Sequence, residues 1–380
     1  MDKSAICVKL GARARSQIEC RGLQQADIAC IPAAAGGPKG LGLIPLDQWL
    51  FGEWFAAANH MPTLVGASIG AWRMAAAAQP DARRALAELS RTYIEDQIYQ
   101  VNPPPAEVAR LCRLLARSMF VDGHWQPRED VALRVVTARA SGALRENASR
   151  RAFARASIDN LAGRARLARH LRRVVFASGP ASQLDDVLSG PENSFSQGVS
   201  SRQEVSSWQE PGFDHFGAER AALTASNAEA ALLASGSIPL LCDPVKAIPG
   251  AHPGWYWDGG LIDYHLFYPY AKLDGLVLYP HFTDYIVPGW LDKFAPWRRQ
   301  GVNGRGRDWL ANMILISPSP SFLQTLPNHK LPDRKDFHRY GQDHRRRIAD
   351  WNHAVSDCGK FAEEAAAWLK APDLSIALPL

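Results

Sequence analysis

Two short apolar runs, each closed by a glycine turn and followed by apolar residues at helical spacing, set the pattern of the first third of the chain. Asp27-Ile-Ala-Cys-Ile-Pro-Ala-Ala-Ala35 reads as a buried strand despite Pro32, and Gly36-Gly37-Pro38-Lys39-Gly40 follows it as a turn. Leu46, Leu50, Trp54 and Phe55 then recur with the period of one buried helix face. The unit repeats at once: Met61–Val65 as a strand, Gly66–Gly70 as a tight turn, and an alanine-rich helix over Ala71–Ala78 that stops before Pro80. Such strand–turn–helix succession predicts an α/β protein with helices on both faces of a mainly parallel central sheet.

Further along, the pattern predicts helix to about Gln100, a break at Pro103–Pro105 and a helix over Ala106–Phe120. Val131–Ala138 and Arg173–Ser178 read as strands on either side of arginine-rich helices over Arg139–Leu171. The Ser-, Gly-, Pro- and Gln-rich stretch Gly179–Phe216 reads as a surface excursion and a candidate lid. Ala221–Ala234 reads as a helix, Gly275–Tyr279 and Asn312–Ile316 as core strands, and Trp351–Leu369 as a C-terminal helix. The organisation expected is a partly ordered arm over 1–26, one domain over 27–370 and a short tail over 371–380. There is no solenoid period.

Composition changes this picture little. A chain of 380 residues, 47% hydrophobic and 21% charged, belongs to the ordinary globular class. Its net charge of +5 is compatible with an anionic membrane surface, and the basic residues of Arg134–Arg173 and Arg345–Arg347 read as solvated helical surface. No nucleic-acid-binding motif accompanies them, so no nucleic acid partner is expected. The six cysteines are scattered without metal-ligand spacing, which favours a reducing cytoplasm. No run reaches the roughly 18 apolar residues of a membrane span, and the start lacks a secretory pattern, so contact with lipid is expected only at the membrane surface.

The chemistry concentrates in Gly66-Ala67-Ser68-Ile69-Gly70, which matches a nucleophile elbow. An attacking hydroxyl must stand above the sheet on a sharp strand-to-helix reversal, and glycines two positions to either side clear the space that reversal needs. The bland reading of the same residues is a structural turn with Ser68 capping a helix. A serine needs a base. His265 and several later histidines follow the elbow, none in a distinctive motif, while Asp258-Gly259-Gly260 is a compact carboxylate turn; Asp243 and Asp263 suit ion pairing or capping.

Taken together these landmarks resemble the patatin-like phospholipase family. Ala35-Gly36-Gly37-Pro38-Lys39-Gly40 is similar to its glycine-rich oxyanion motif, Gly66–Gly70 to its elbow, Asp258-Gly259-Gly260 to its Asp-Gly-Gly/Ala motif, and Ala234–Pro239 to the stretch upstream. The resemblance covers about Asp27–Asp263 and implies a three-layer α/β fold. It further implies a Ser68–Asp258 dyad cleaving hydrophobic acyl esters or phospholipids, with oxyanion donors from Gly36, Gly37 and Ile69 and no metal or organic cofactor. Ala35 and Ile69 depart from the family pattern, which leaves room for a noncatalytic lipid- or protein-binding member of the fold, or for an acyltransferase. Hydrogen-bond reach between Ser68 and Asp258 separates an enzyme from a binding protein.

Overall fold

The computed structural model describes residues 4–58, 60–189, 213–300 and 307–380. Its strands are β1 (Ile6–Leu10), β2 (Ile28–Ala33), β3 (Thr63–Ala67), β4 (Leu133–Ala140), β5 (Leu171–Ser178), β6 (Glu219–Ala222), β7 (Val245–Lys246), β8 (Trp255–Asp258), β9 (Leu276–Pro280), β10 (Met313–Pro318) and β11 (Ala377–Pro379). They form one sheet in the order β11-β1-β10-β9-β2-β3-β4-β5-β6, with β8 laid against β4 and β7 against β8. Helices cover both faces, which gives three layers. Apolar side chains of strand and helix meet in one large core cluster, with a smaller one beneath β8 and the helix Arg150–Ala162.

The sheet is mixed where the sequence pattern predicts a mainly parallel one. β10, β9, β2, β3 and β4 run parallel, as the strand–turn–helix units require. Antiparallel pairs flank that run: β1 with β10, β4 with β5, and β8 with β4 and β7. The described part of the expected N-terminal arm, residues 4–26, is built into the fold. From Ser4 onward they supply β1 and the helix Ala12–Arg21, and the tail beyond 370 supplies β11, parallel to β1. Most of the candidate lid falls in 190–212, outside the described residues; the part described before it carries a helix over Gln183–Ser189.

In the arginine-rich segments Arg150, Arg151, Arg155, Arg166, Arg345 and Arg346 lie exposed on helices, as the sequence suggests, but three other arginines do not. Arg134, Arg173 and Arg347 are among the most deeply buried side chains of the fold. Arg134 donates to both oxygens of Asp185, at 2.7 Å each. Arg173 bridges Asp263 and Asp214, and Arg347 donates to the Ile94 and Gln97 carbonyls. A guanidinium presents five donors in a planar fork, so it can satisfy carboxylates and carbonyls in the interior where a lysine could not.

No helix among the described residues is long and apolar enough to cross a membrane.

Candidate active site

The elbow is built from backbone outward. β3 ends at Ala67, the helix Ile69–Ala77 begins two residues later, and the reversal between them falls on Ser68 at φ 57°, ψ −129°. A non-glycine residue in that region is strained, and persists only where its surroundings over-determine it. The flanking glycines supply that determination. A Cβ on Gly66 would stand 2.4 Å from the Gly70 carbonyl group, and one on Gly70 would stand 1.9 Å from the Ala33 oxygen, so neither position accepts a side chain. The amide of Ser68 donates to Ser235 Oγ at 2.9 Å, and Ser235 Oγ donates in turn to the Val136 carbonyl at 2.7 Å. The Ser68 turn is thereby pinned to β4.

Asp258 arrives from the opposite direction at the end of β8. Its amide donates to the Ser237 carbonyl, and its Oδ1 accepts from the Gly260 amide at 2.7 Å. A Cβ on Gly259 would meet the Val136 oxygen at 2.2 Å, which explains the first glycine of the motif. With this turn fixed, Ser68 Oγ donates to Asp258 Oδ2 at 2.8 Å across 190 positions of sequence. Both side chains are buried, Ser68 to 3% and Asp258 to 6% exposure. Burial pushes the Asp258 carboxyl above the usual carboxylate range, against the opposing pull of Arg334, the Gly260 amide, the Ser68 hydroxyl and Lys293.

The glycine turn after β2 completes the constellation. Ala35 donates its amide to the Tyr264 carbonyl at 2.8 Å, tying this turn to the segment that follows Asp258. Ala35 sits outside the positive-φ region, so its methyl group costs nothing there. Ile69 is buried, and its side chain lies against the Gly40 backbone, where a Cβ would come within 2.9 Å. The amides of Gly36, Gly37 and Ile69 donate to no acceptor among the described residues, whereas that of Ser68 is committed to Ser235. Ser68 opens on two cavities. One, of about 270 Å³, is bordered by Gly36 and Asp258; the other, of about 710 Å³, by Gly37, Ile69 and the apolar side chains of Trp72, Leu240 and Leu241.

The remaining candidates fall elsewhere. His265 stacks on Tyr264 and meets His281 and Phe282 in a buried ring cluster, where its Nδ1 accepts from the Val287 amide. Burial holds it well below the ordinary histidine range, hence neutral. Asp263 pairs with Arg173, and Asp243 is exposed. Of the aromatic residues near Asp258, Tyr256, Trp257, Tyr268 and Tyr270 are core, while Tyr264 borders the smaller cavity. Nothing in the sequence marks Lys293, Arg334 or the anchoring role of Ser235; the Ser235 stretch carries only its likeness to the family. No group of three or more His, Cys, Asp or Glu side chains suited to a metal occurs among the described residues.

No family model matches the chain, and comparison with curated proteins also finds no match.

Proposed function

We propose that this chain is a patatin-like serine acyl hydrolase that cleaves hydrophobic carboxylic esters through a Ser68–Asp258 dyad. The observation that carries the reading is the 2.8 Å hydrogen bond from a strained, cavity-facing Ser68 to a buried carboxylate. As Ser68 Oγ attacks the ester carbonyl carbon, its proton passes to Asp258. The tetrahedral oxyanion is held by the uncommitted amides of the Gly36-Gly37 turn and of Ile69 at the start of its helix. Pro38 has no amide hydrogen and takes no part. Collapse expels the alcohol, which recovers the proton from Asp258 and leaves acyl-Ser68. Water, deprotonated by the same carboxylate, then releases the acid.

The larger cavity suits the acyl chain: Trp72, Val108 and Phe337 border it, and Val101, Leu240 and Leu241 stand exposed beside it. Peripheral contact with a lipid surface in the cytoplasm belongs to the same reading. The parallel run of β10, β9, β2, β3 and β4 beneath the elbow supports the patatin-like form of the fold.

Time-resolved acid release from short- and long-chain acyl esters and phospholipids tests the proposal. Ser68→Ala should reduce turnover to background and Asp258→Ala should lower it by about 10²- to 10⁴-fold, with both variants folded. Release that survives both substitutions unchanged would overturn it.

A further inference from the structure

The smaller cavity beside Ser68 is bordered by four cations, three of them half-buried and the fourth, Lys335, exposed at its edge, and the hydrolase reading alone does not use them. Lys39, Lys293 and Arg334 all border it, and none has a carboxylate within ion-pair distance or a side-chain hydrogen bond among the described residues. Lys39 Nζ lies 5.4 Å from the centroid of the Phe282 ring, and Lys293 Nζ lies 4.8 Å from that of Tyr264 and 5.1 Å from that of Trp290. The two carboxylates on the same wall are engaged elsewhere, Asp258 with Ser68 and Gly260, Asp333 with Lys330 at 2.8 Å. Half-buried like charges held together repel one another, and only the longer-range pull of Asp258 on Lys293 and of Asp333 on Lys39 opposes this. Lys293 shows the effect, its ammonium drawn down to about 8 by burial and by Arg334 and Lys39.

These cations also sit on segments locked in place. Asp292, next to Lys293, accepts from Arg164, Arg298, Asn160 and the Gly289 amide. Asp336, two residues beyond Arg334, accepts from Lys330, Trp351 Nε1 and the Asp333 amide. A surface patch of solvated lysines would need no such support. Pinned segments that present unpaired donors to a concave site form a preorganised receptor.

We propose, resting on the hydrolase reading, that the smaller cavity binds a phosphate monoester carried by the leaving alcohol. The substrate is then an amphiphile with one acyl chain in the larger cavity, its scissile carbonyl at Ser68 and a dianionic phosphate among Lys39, Lys293 and Arg334. The Ser68 Oγ–carbonyl carbon bond forms, the carbonyl carbon–alcohol oxygen bond breaks, and the phosphorylated alcohol leaves with the proton held by Asp258. The phosphate stays intact. Two ammonium groups and a guanidinium fork match a dianion in charge and donor geometry. A choline or ethanolamine headgroup would bring a further cation into a space of about 270 Å³ that cations already border, so zwitterionic phospholipids are disfavoured.

The test compares kcat/KM for a 1-acylglycerol, its 3-phosphate and the matching phosphocholine ester, all of one chain length and below their critical micelle concentrations. Calorimetry of glycerol 3-phosphate and of inorganic phosphate on Ser68→Ala runs beside it. The phosphate monoester should lead both other esters by at least about tenfold. That lead should collapse, mainly through KM, in Lys293→Gln and in Arg334→Gln, with Lys39→Gln as a third variant should either fail to fold. Glycerol 3-phosphate should bind Ser68→Ala more tightly than inorganic phosphate. Equal turnover of the three esters, or equal binding of the two anions without ester preference, would overturn the proposal and leave the hydrolase reading standing. Binding of glycerol 3-phosphate that the cation substitutions abolish, in a protein that hydrolyses no ester, would keep the anion subsite and sink the hydrolase reading.

Discussion

At the scale of single residues, the candidate site holds a strained backbone and a buried carboxylate, and each has a consequence for stability. Ser68 at φ 57° lies where side chains are disfavoured by about 1–3 kcal/mol. Ser68→Gly removes the hydroxyl and the strain, while Ser68→Ala removes only the hydroxyl; Ser68→Gly should therefore be the more stable by about 1 kcal/mol in urea unfolding. Equal stability of the two would mean that the elbow is not strained. Asp258 makes a parallel case. Burial raises its folded pKa above the unfolded value, so the neutral form is the one that the fold favours. The charged form costs stability above the folded pKa, and the cost fades as pH falls through that pKa towards the ordinary carboxylate value. Asp258→Asn should thus melt roughly 2 °C above the native protein at pH 8 and level with it near pH 4, while losing ester turnover. A gain that persists at low pH would contradict the charge argument. Both residues were legible in the sequence because each sits in a glycine pattern dictated by backbone clearance. Lys293 and Arg334 were not, since an unpaired cation is defined by what fails to approach it in space.

Among elements, the parts of the site are joined by buried polar ties more than by the loops themselves. Arg73, on the helix that starts after Ser68, donates Nε and Nη2 to Asp47 at 2.6 and 2.8 Å, and Asp47 lies on the helix Ile44–Trp49 that follows the glycine turn. Both side chains are almost wholly buried. Arg73→Met leaves the Asp47 carboxylate unpaired in the interior and should cost about 3–5 kcal/mol. Arg73→Met with Asp47→Leu should recover most of that, because an apolar pair of similar volume replaces the ion pair. Denaturant midpoints for the single and double variants check this; a double variant no more stable than the single would refute it. Strand–turn–helix units were read correctly near β2 and β3 because their apolar runs are long and their turns glycine-marked. β8 was missed: four residues, aromatic and bordered by Pro and Gly, look like turn packing until β4 is there to pair with. The predicted helix Ala221–Ala234 overlaps the second half of β6, because Glu219-Arg-Ala-Ala222 has no strand composition and only its pairing with β5 makes it a strand.

Across the whole molecule, the chain's two ends close one edge of the sheet while the site occupies its middle. β11 pairs with β1, the Leu380 amide donates to the Leu10 carbonyl, Arg15 reaches the Leu374 and Ala377 carbonyls, and Trp368 Nε1 donates to the Asp373 carbonyl. None of this was visible in the sequence, where the first 26 residues are of mixed polarity with little periodicity and the short apolar tail does not declare its partner. Deleting 371–380 would leave β1 with an open row of amides and carbonyls, the kind of edge that recruits another chain. In strand order β1, β10, β9 and β2 separate β11 from the elbow at the end of β3, and the helix residue Cys358 behind Gly42 in the glycine turn would be retained. The truncated protein should therefore melt several degrees lower and associate with rising concentration, as read by calorimetry and light scattering. Its kcat/KM per titrated active site should match that of the full chain. A fall in kcat/KM without a change in melting temperature would show that the sheet edge and the elbow are coupled, and that the site depends on the whole sheet rather than on its parallel centre.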